Sequence, residues 1–162
     1  MLIAIVADTH LPRGQRALPA RCVELLRDAE LILHAGDIST VGVLDHLRVL
    51  GPRVIAVHGN VDEPALRERL PTELEMEVGG ARLAMTHDAG PASGRVARLR
   101  RRFPAADAVV FGHSHIPLLE RDGGFQIFNP GSPTERRRQP RHTMGLARVA
   151  DERIVFEHVA LG

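Results

Sequence analysis

At 162 residues the chain is long enough for one domain, spanning 1–162, with a sizeable core. Apolar residues at 44%, charged residues at 25% and a net charge of +1 exclude a disordered chain and any global pull toward nucleic acid or a membrane surface. No apolar run approaches the length of a membrane span, and the single Cys22 excludes an intramolecular disulfide, which favours a reducing compartment, the cytoplasm by default.

The first predicted element is a buried strand over residues 2–7; the apolar start lacks a basic segment and is too short for a signal peptide. A loop rich in Pro, Gly and Arg follows over 11–19, then a helix over 20–29, a strand over 31–35 and a helix over 41–50 ended by Gly51 and Pro52. A third strand is expected over 53–57 and a short helix over 64–70. The pattern then changes. Residues 73–78 and 81–86 alternate around Gly79-Gly80 and read as a hairpin. A helix over 93–103 has a strongly basic end, which the helix dipole accounts for, and a strand over 108–111 comes next. Hairpins at 118–121 with 125–128, and at 143–149 with 153–159, complete the chain. Strand–helix alternation followed by hairpins predicts an α/β fold of two packed mixed β-sheets flanked by helices.

All 21 basic residues are arginine. The guanidinium fork suits phosphate, but the arginines are spread along the chain, and a GC-rich coding sequence is the preferred explanation of the bias. With no Trp, no Tyr and five Phe, stacking of single-stranded bases has little to rest on, so there is no strong nucleic-acid signal.

Five short polar motifs each follow an apolar run: Asp8-Thr9-His10, Gly36-Asp37, Gly59-Asn60, His87 and Gly112-His113-Ser114-His115. Strand ends are where α/β sheets gather ligand-binding groups. Carboxylate, amide oxygen and imidazole without thiolate suit a divalent Mn, Fe, Ni, Co or Zn better than a sulfur-rich structural zinc site. Asp8 and His10 flank one residue, and in extended chain both would point the same way; His113 and His115 form a similar clamp.

Taken together and in this order, the motifs resemble those of the calcineurin-like metallophosphoesterase superfamily, especially its small, compact bacterial and archaeal phosphodiesterases. The resemblance runs from Asp8 to the Asn129-Pro130-Gly131-Ser132 segment. It implies that Asp8, His10 and His115 hold one metal, that Asn60, His87 and His113 hold the other, and that Asp37 bridges them. Asp37, Asn60 and His87 are then also the catalytic centre. It further implies two divalent ions per chain, with Mn the first expectation and Ni, Fe, Co or Zn the alternatives. They would cleave a small or flexible phosphodiester by attack of a hydroxide formed between them. A homo-oligomer is compatible with this reading. The alternative it leaves open is a non-catalytic, metal-stabilised protein-binding scaffold of the same fold, as used in the eukaryotic retromer.

The chain departs from the superfamily pattern at two positions. Many members have a histidine after Gly-Asn; here Val61 stands there, followed by the retained acid Asp62. General-acid help is worth ~10²–10⁴-fold, so its loss favours leaving groups that need little protonation. Asp88 stands where small members usually have glycine, and reads as a solvated loop residue. His34 reads as a hydrogen-bonded core residue, His58 as structural, and His46, His142 and His158 as surface or packing residues. In the run Arg136-Arg137-Arg138 near Ser132, Arg136 and Arg138 are the candidates for holding substrate phosphate.

Overall fold

In the first strand, β1 (Leu2–Val6), Ile3 and Ile5 face one way and Ala4 and Val6 the other, and all four are fully buried. Both faces of this strand are therefore covered, as a parallel sheet between layers requires. The computed structural model describes residues 1–51 and 53–162.

β1 is followed by α1 (Ala20–Asp28), β2 (Leu31–His34), α2 (Val41–Leu50), β3 (Val54–Ala56), α3 (Pro64–Arg69), β4 (Glu73–Val78) and β5 (Ala81–Thr86). Then come α4 (Arg95–Arg102), β6 (Ala108–Val110), β7 (Leu118–Asp122), β8 (Phe125–Asn129), β9 (Thr143–Ala150) and β10 (Arg153–Ala160). The strands form two five-stranded sheets, ordered β10-β9-β1-β2-β3 and β4-β5-β6-β8-β7. In the first, β1, β2 and β3 are parallel while β9 runs antiparallel to β1 and β10. In the second, β5, β6 and β8 are parallel while β4 and β7 are antiparallel edges. Both sheets are mixed, as the sequence pattern predicts.

The layers are held by apolar burial, worth about 1.5–3 kcal/mol for each large side chain fully removed from water. Between the sheets, Ile3, Ile5 and Leu33 meet Leu83, Met85, Val110 and Phe128. On the outer face of the first sheet, Leu25, Leu26 and Leu47 of α1 and α2 cover Ala4, Val6 and Ile32. On the outer face of the second, Leu99 and Phe103 cover Ala84, Val109 and Ile127. Leu66 of α3 packs with Ile38, Leu44 and Ala56. Among the described residues no helix is long and apolar enough to cross a membrane.

Element boundaries differ from expectation by a residue or two. The strands that feed the motifs stop at Val6, His34, Ala56 and Val110, one residue before the apolar run ends. The extra residues are still tied in: Ala35 N–H donates to Val6 O, Val57 N–H to His34 O and Phe111 N–H to Phe128 O. α4 starts at Arg95 rather than at 93, because Gly94 is left-handed with φ +67°. Of the expected end of α2, Pro52 lies outside the described residues; Gly51 N–H closes the helix on Leu47 O.

Candidate metal centre

The carboxyl ends of β1, β2 and β3 in one sheet, and of β5 and β6 in the other, open at one edge of the sandwich. The five motifs follow these strand ends, and the structure brings all seven expected ligands together. Asp8, His10 and His115 place one ligand atom each within 4.8 Å of the others, and so do Asp37, His87 and His113. Asn60 belongs with the second group: its Oδ1 is 3.0 Å from His87 Nε2 and 3.0 Å from His113 Nδ1. Asp37 lies between the groups, with Oδ2 3.3 Å from His87 Nε2 and 3.7 Å from His10 Nε2.

The convergence of Asp8 and His10 has a different cause from the extended chain expected. Asp8 (φ 54°) and His10 (φ 45°) are both left-handed, as are Asp37 (φ 58°), His113 (φ 68°) and His115 (φ 60°). Such conformations cost about 1–3 kcal/mol each for a non-glycine residue and persist only where the surroundings enforce them. Here Asp8 N–H donates to Gly36 O at 3.0 Å and His10 N–H to Asp37 O at 3.1 Å, which locks the first two loops together. A ladder of side chains behind the loops continues the restraint. His34 is fully buried; Gly36 N–H donates to its Nδ1 at 3.2 Å, so its Nε2–H is the donor to Thr9 Oγ1 at 3.0 Å. Asp62, also buried, accepts from Ser39 N–H at 2.6 Å and from Gly59 N–H at 2.7 Å. Ser132 Oγ–H donates to Asp8 O at 2.8 Å, and Thr134 Oγ1–H to Thr9 O at 2.6 Å.

Two of the histidines are fixed in one tautomer. His87 Nδ1–H donates to Ala35 O at 2.8 Å and His115 Nδ1–H to Glu135 O at 2.6 Å, so in each neutral ring Nε2 is a lone pair aimed into the site. His115 Nε2 then faces His10 Nε2 at 3.2 Å, and His87 Nε2 faces Asp37 Oδ2. In the neutral rings these two lone pairs converge with the Asp37 carboxylate, which suits a cation. The carboxylates point the same way. Asp8 is completely buried and its Oδ2 has no hydrogen-bond partner among the described residues. Burial pushes its carboxyl up to about 7, despite the nearby His87. Burial would also raise Asp37, but the hydrogen bond and charge of His87, with Val61 N–H, hold it down to about 2. Burial lowers His10, and it lowers His115 to about 4. Burial acts on His87 in the same direction, but Asp37 and Asp8 outweigh it and raise that group. A buried oxygen without a donor, His10 and His115 kept neutral by burial, and a donor set of O and N fit a divalent metal.

Two hollows flank the ligands. One of about 250 Å³ is lined by His58, Asn60, Arg67, Thr72, His87 and Arg102. The other, about 350 Å³, is lined by His10, Arg13, Ser39, Val61, Glu135 and Arg137. Arg137, with φ 50°, is thus the residue of the arginine run that shares a hollow with the expected ligand His10. Arg136 and Arg138 line an adjoining groove, and Arg136 also donates to Gln139 O at 2.6 Å. The chain order alone could not separate the three. Also unsingled by the sequence were Thr9, Thr134 and the bracing role of Asp62; the retained acid after Gly-Asn was the one available signal.

The remaining side chains have structural partners. Asp88 is exposed and accepts from Gly90 N–H at 2.7 Å, a local turn. His58 is half-buried with Nδ1 3.2 Å from Gly59 O, and His158 donates to Asn129 O while stacking on Phe128. His46 lines an apolar hollow between α1 and α2. The basic end of α4 has more than the dipole to hold it: Arg100 pairs with Asp122 at 2.9 Å and Arg102 with Glu73 at 2.6 Å.

Residues 1–152 match the family model described as the calcineurin-like phosphoesterase superfamily domain. A protein of Methanothermobacter thermautotrophicus described as a probable metallophosphoesterase is 33% identical, over 100% of this chain and 94% of its own. A phosphodiesterase of Methanocaldococcus jannaschii is 24% identical, over 81% of this chain and 83% of its own. In structure, wild-type Vps29 of Entamoeba histolytica complexed with zinc superposes with a TM-score of 0.78, at 22% identity and with 100% of both chains covered.

Proposed function

The chain belongs to the calcineurin-like phosphoesterase superfamily, and from that membership we propose that it is a phosphodiesterase using two divalent cations. The observation that carries this reading is the position of Asp37 Oδ2 within 3.3 Å of His87 Nε2 and 3.7 Å of His10 Nε2, one carboxylate oxygen between two ligand groups. Asp8, His10 and His115 would hold one ion, and Asn60, His87 and His113 the other, with Asp37 shared. When bound, such a pair supplies a water acidic enough to attack near neutral pH and neutralises charge on the phosphoryl oxygens.

The chain's own residues do the rest. Ala35 O and Glu135 O fix the tautomers of His87 and His115, so that lone pairs rather than protons face the substrate side. Asn60 adds an oxygen without adding negative charge, which keeps the centre electrophilic. Arg13 and Arg137 line the hollow beside His10 and would bind phosphoryl oxygens through charged N–H groups. Arg136 and Arg138 extend the basic surface. Val61, 48% exposed in the same hollow, has no proton to give, so the ester oxygen departs without help from that side chain. Diesters with weakly basic leaving groups should therefore be the best substrates, with monoesters weaker. The lone buried Cys22 fits a reducing compartment such as the cytoplasm.

The test is metal analysis of the purified protein followed by diester and monoester panels with several divalent ions. Manganese should activate most, since imidazole-rich sites prefer such ions to Mg²⁺ or Ca²⁺. Hydrolysis that persists after the metals are demonstrably stripped would sink the reading.

A further inference from the structure

Beside the ligand histidines lies a groove of about 220 Å³ lined by Ser114, Ile116, Arg136, Arg137, Arg138 and Gln139. We propose that this groove binds a second phosphate of the substrate, so that the natural phosphodiester carries a further phosphate on one ester arm. The inference rests on the phosphodiesterase reading for the first phosphate.

Three features separate this run from an ordinary solvated charge cluster. The first is uncompensated charge. Glu135, the acid next in the chain, is already paired with Arg16 at 3.0 Å and Arg13 at 3.7 Å. Arg136 gives one N–H to Gln139 O, and among the described residues Arg137 and Arg138 have neither a carboxylate nor a carbonyl partner. The second is fixed placement. The segment before the arginines is pinned to the ligand loops by Ser132 Oγ–H to Asp8 O, Thr134 Oγ1–H to Thr9 O and His115 Nδ1–H to Glu135 O. The backbone from which the arginines project is thus anchored beside the centre.

The third is continuity. Ser114 stands between the ligands His113 and His115, and Arg137 is a wall common to this groove and to the hollow of His10 and Val61. An anionic group that extends from the centre thus meets free guanidinium forks, whose geometry matches phosphate bidentately. No aromatic side chain lines the groove, so nothing there offers a stacking face to a base. The phosphate itself is what is recognised, whatever carries it.

The experiment is calorimetric titration of the manganese-loaded protein with two probe pairs. Adenosine 5′-monophosphate is compared with adenosine 3′,5′-bisphosphate, and ribose 5-phosphate with ribose 1,5-bisphosphate. The second phosphate should tighten binding by about tenfold in both pairs. In Arg136→Ala/Arg138→Ala the gain should fall below about twofold, and Arg138→Glu, at an exposed position, should turn it into a penalty. Equal affinities within each pair, no binding by any probe, a gain confined to the nucleoside pair, or a gain that survives the double substitution overturns the subsite. Turnover of bis(4-nitrophenyl) phosphate by the same preparation decides the diesterase reading separately. Turnover without a second-phosphate gain removes the subsite and leaves the reading standing, whereas the gain without turnover leaves a phosphate-binding groove but overturns its assignment to a diester substrate.

Discussion

A Cβ built on Gly59 would lie 2.0 Å from Oδ1 of Asp37 and 2.4 Å from its backbone nitrogen. The loop that carries Asn60 and the loop that carries Asp37 therefore meet with no room for a side chain. Val61 N–H, two residues on, donates to the same Oδ1 at 3.0 Å, so the contact aims the other oxygen of Asp37 at the histidines.

Gly59→Ala should push Asp37 out of line. The neighbour that must move is a carboxylate and its own backbone, neither of which is the free end of a flexible chain. Expected are a destabilisation of about 1–3 kcal/mol from overpacking and a ~10–100-fold weaker metal affinity. Denaturant melts with and without Mn²⁺ read both; a variant that binds metal like the wild type would show that the contact has no aiming role.

Asp37→Ala should lose the second metal and the activity together. Its Oδ2 is the oxygen near both ligand groups, and without it two cations would be separated by solvent alone. Two tightly held metals per chain with full turnover, measured by elemental analysis and diester hydrolysis, would refute the bridging role.

Val61→His restores a proton donor in the hollow beside His10. Protonation matters most when the departing oxygen is strongly basic, so turnover of alkyl esters should rise more than that of nitrophenyl esters, within the ~10²–10⁴-fold typical of general acids. Metal content must match the wild type and the chemical step must limit the rate. An equal change for both ester classes under those conditions tells against a missing acid.

His34 gives a pH signature. Burial holds this imidazole down to about 3, against an ordinary value of 6.5. The unfolded chain takes up a proton near 6.5 while the folded chain does not until about 3, so acidification favours the unfolded state. The stabilising contribution is whole above pH 6.5 and is lost as pH falls from there toward 3. The melting temperature of the metal-free wild type should fall more steeply across this window than that of His34→Gln, which cannot titrate. Parallel slopes in scanning calorimetry would mean that His34 is not held neutral.

Most of the fold was legible because periodicity is a local property. Apolar runs before Asp8, Asp37, Asn60 and His113 announced strands, and Gly79-Gly80 announced a hairpin. The clustering of the motifs was legible for a different reason: each sits at a strand end, and parallel strands bring their ends to one edge, whereas the assignment of ligands to two groups came from the resemblance to the superfamily. Backbone hand was not legible. An αL conformation at Asp8 and His10 is held by hydrogen bonds to distant loops, which no window of neighbouring residues contains. The same holds for Thr9 and Thr134, ordinary residues in the sequence whose hydroxyls acquire a role only when the segments around Gly36 and Ser132 arrive. Which of three consecutive arginines shares a hollow with His10 was likewise invisible to local pattern; it is Arg137.

Each ligand group draws on both sheets. Asp8 and His10 follow β1 of one sheet while His115 follows β6 of the other, and Asp37 with Asn60 stands opposite His87 with His113 in the same way. A cation held in either group is therefore a clasp across the seam of the sandwich, and two cations are two clasps at one end of it. Binding of an ion would then add a tie between the layers at that edge, so metal should slow the opening of the sandwich there rather than the motion of any one loop.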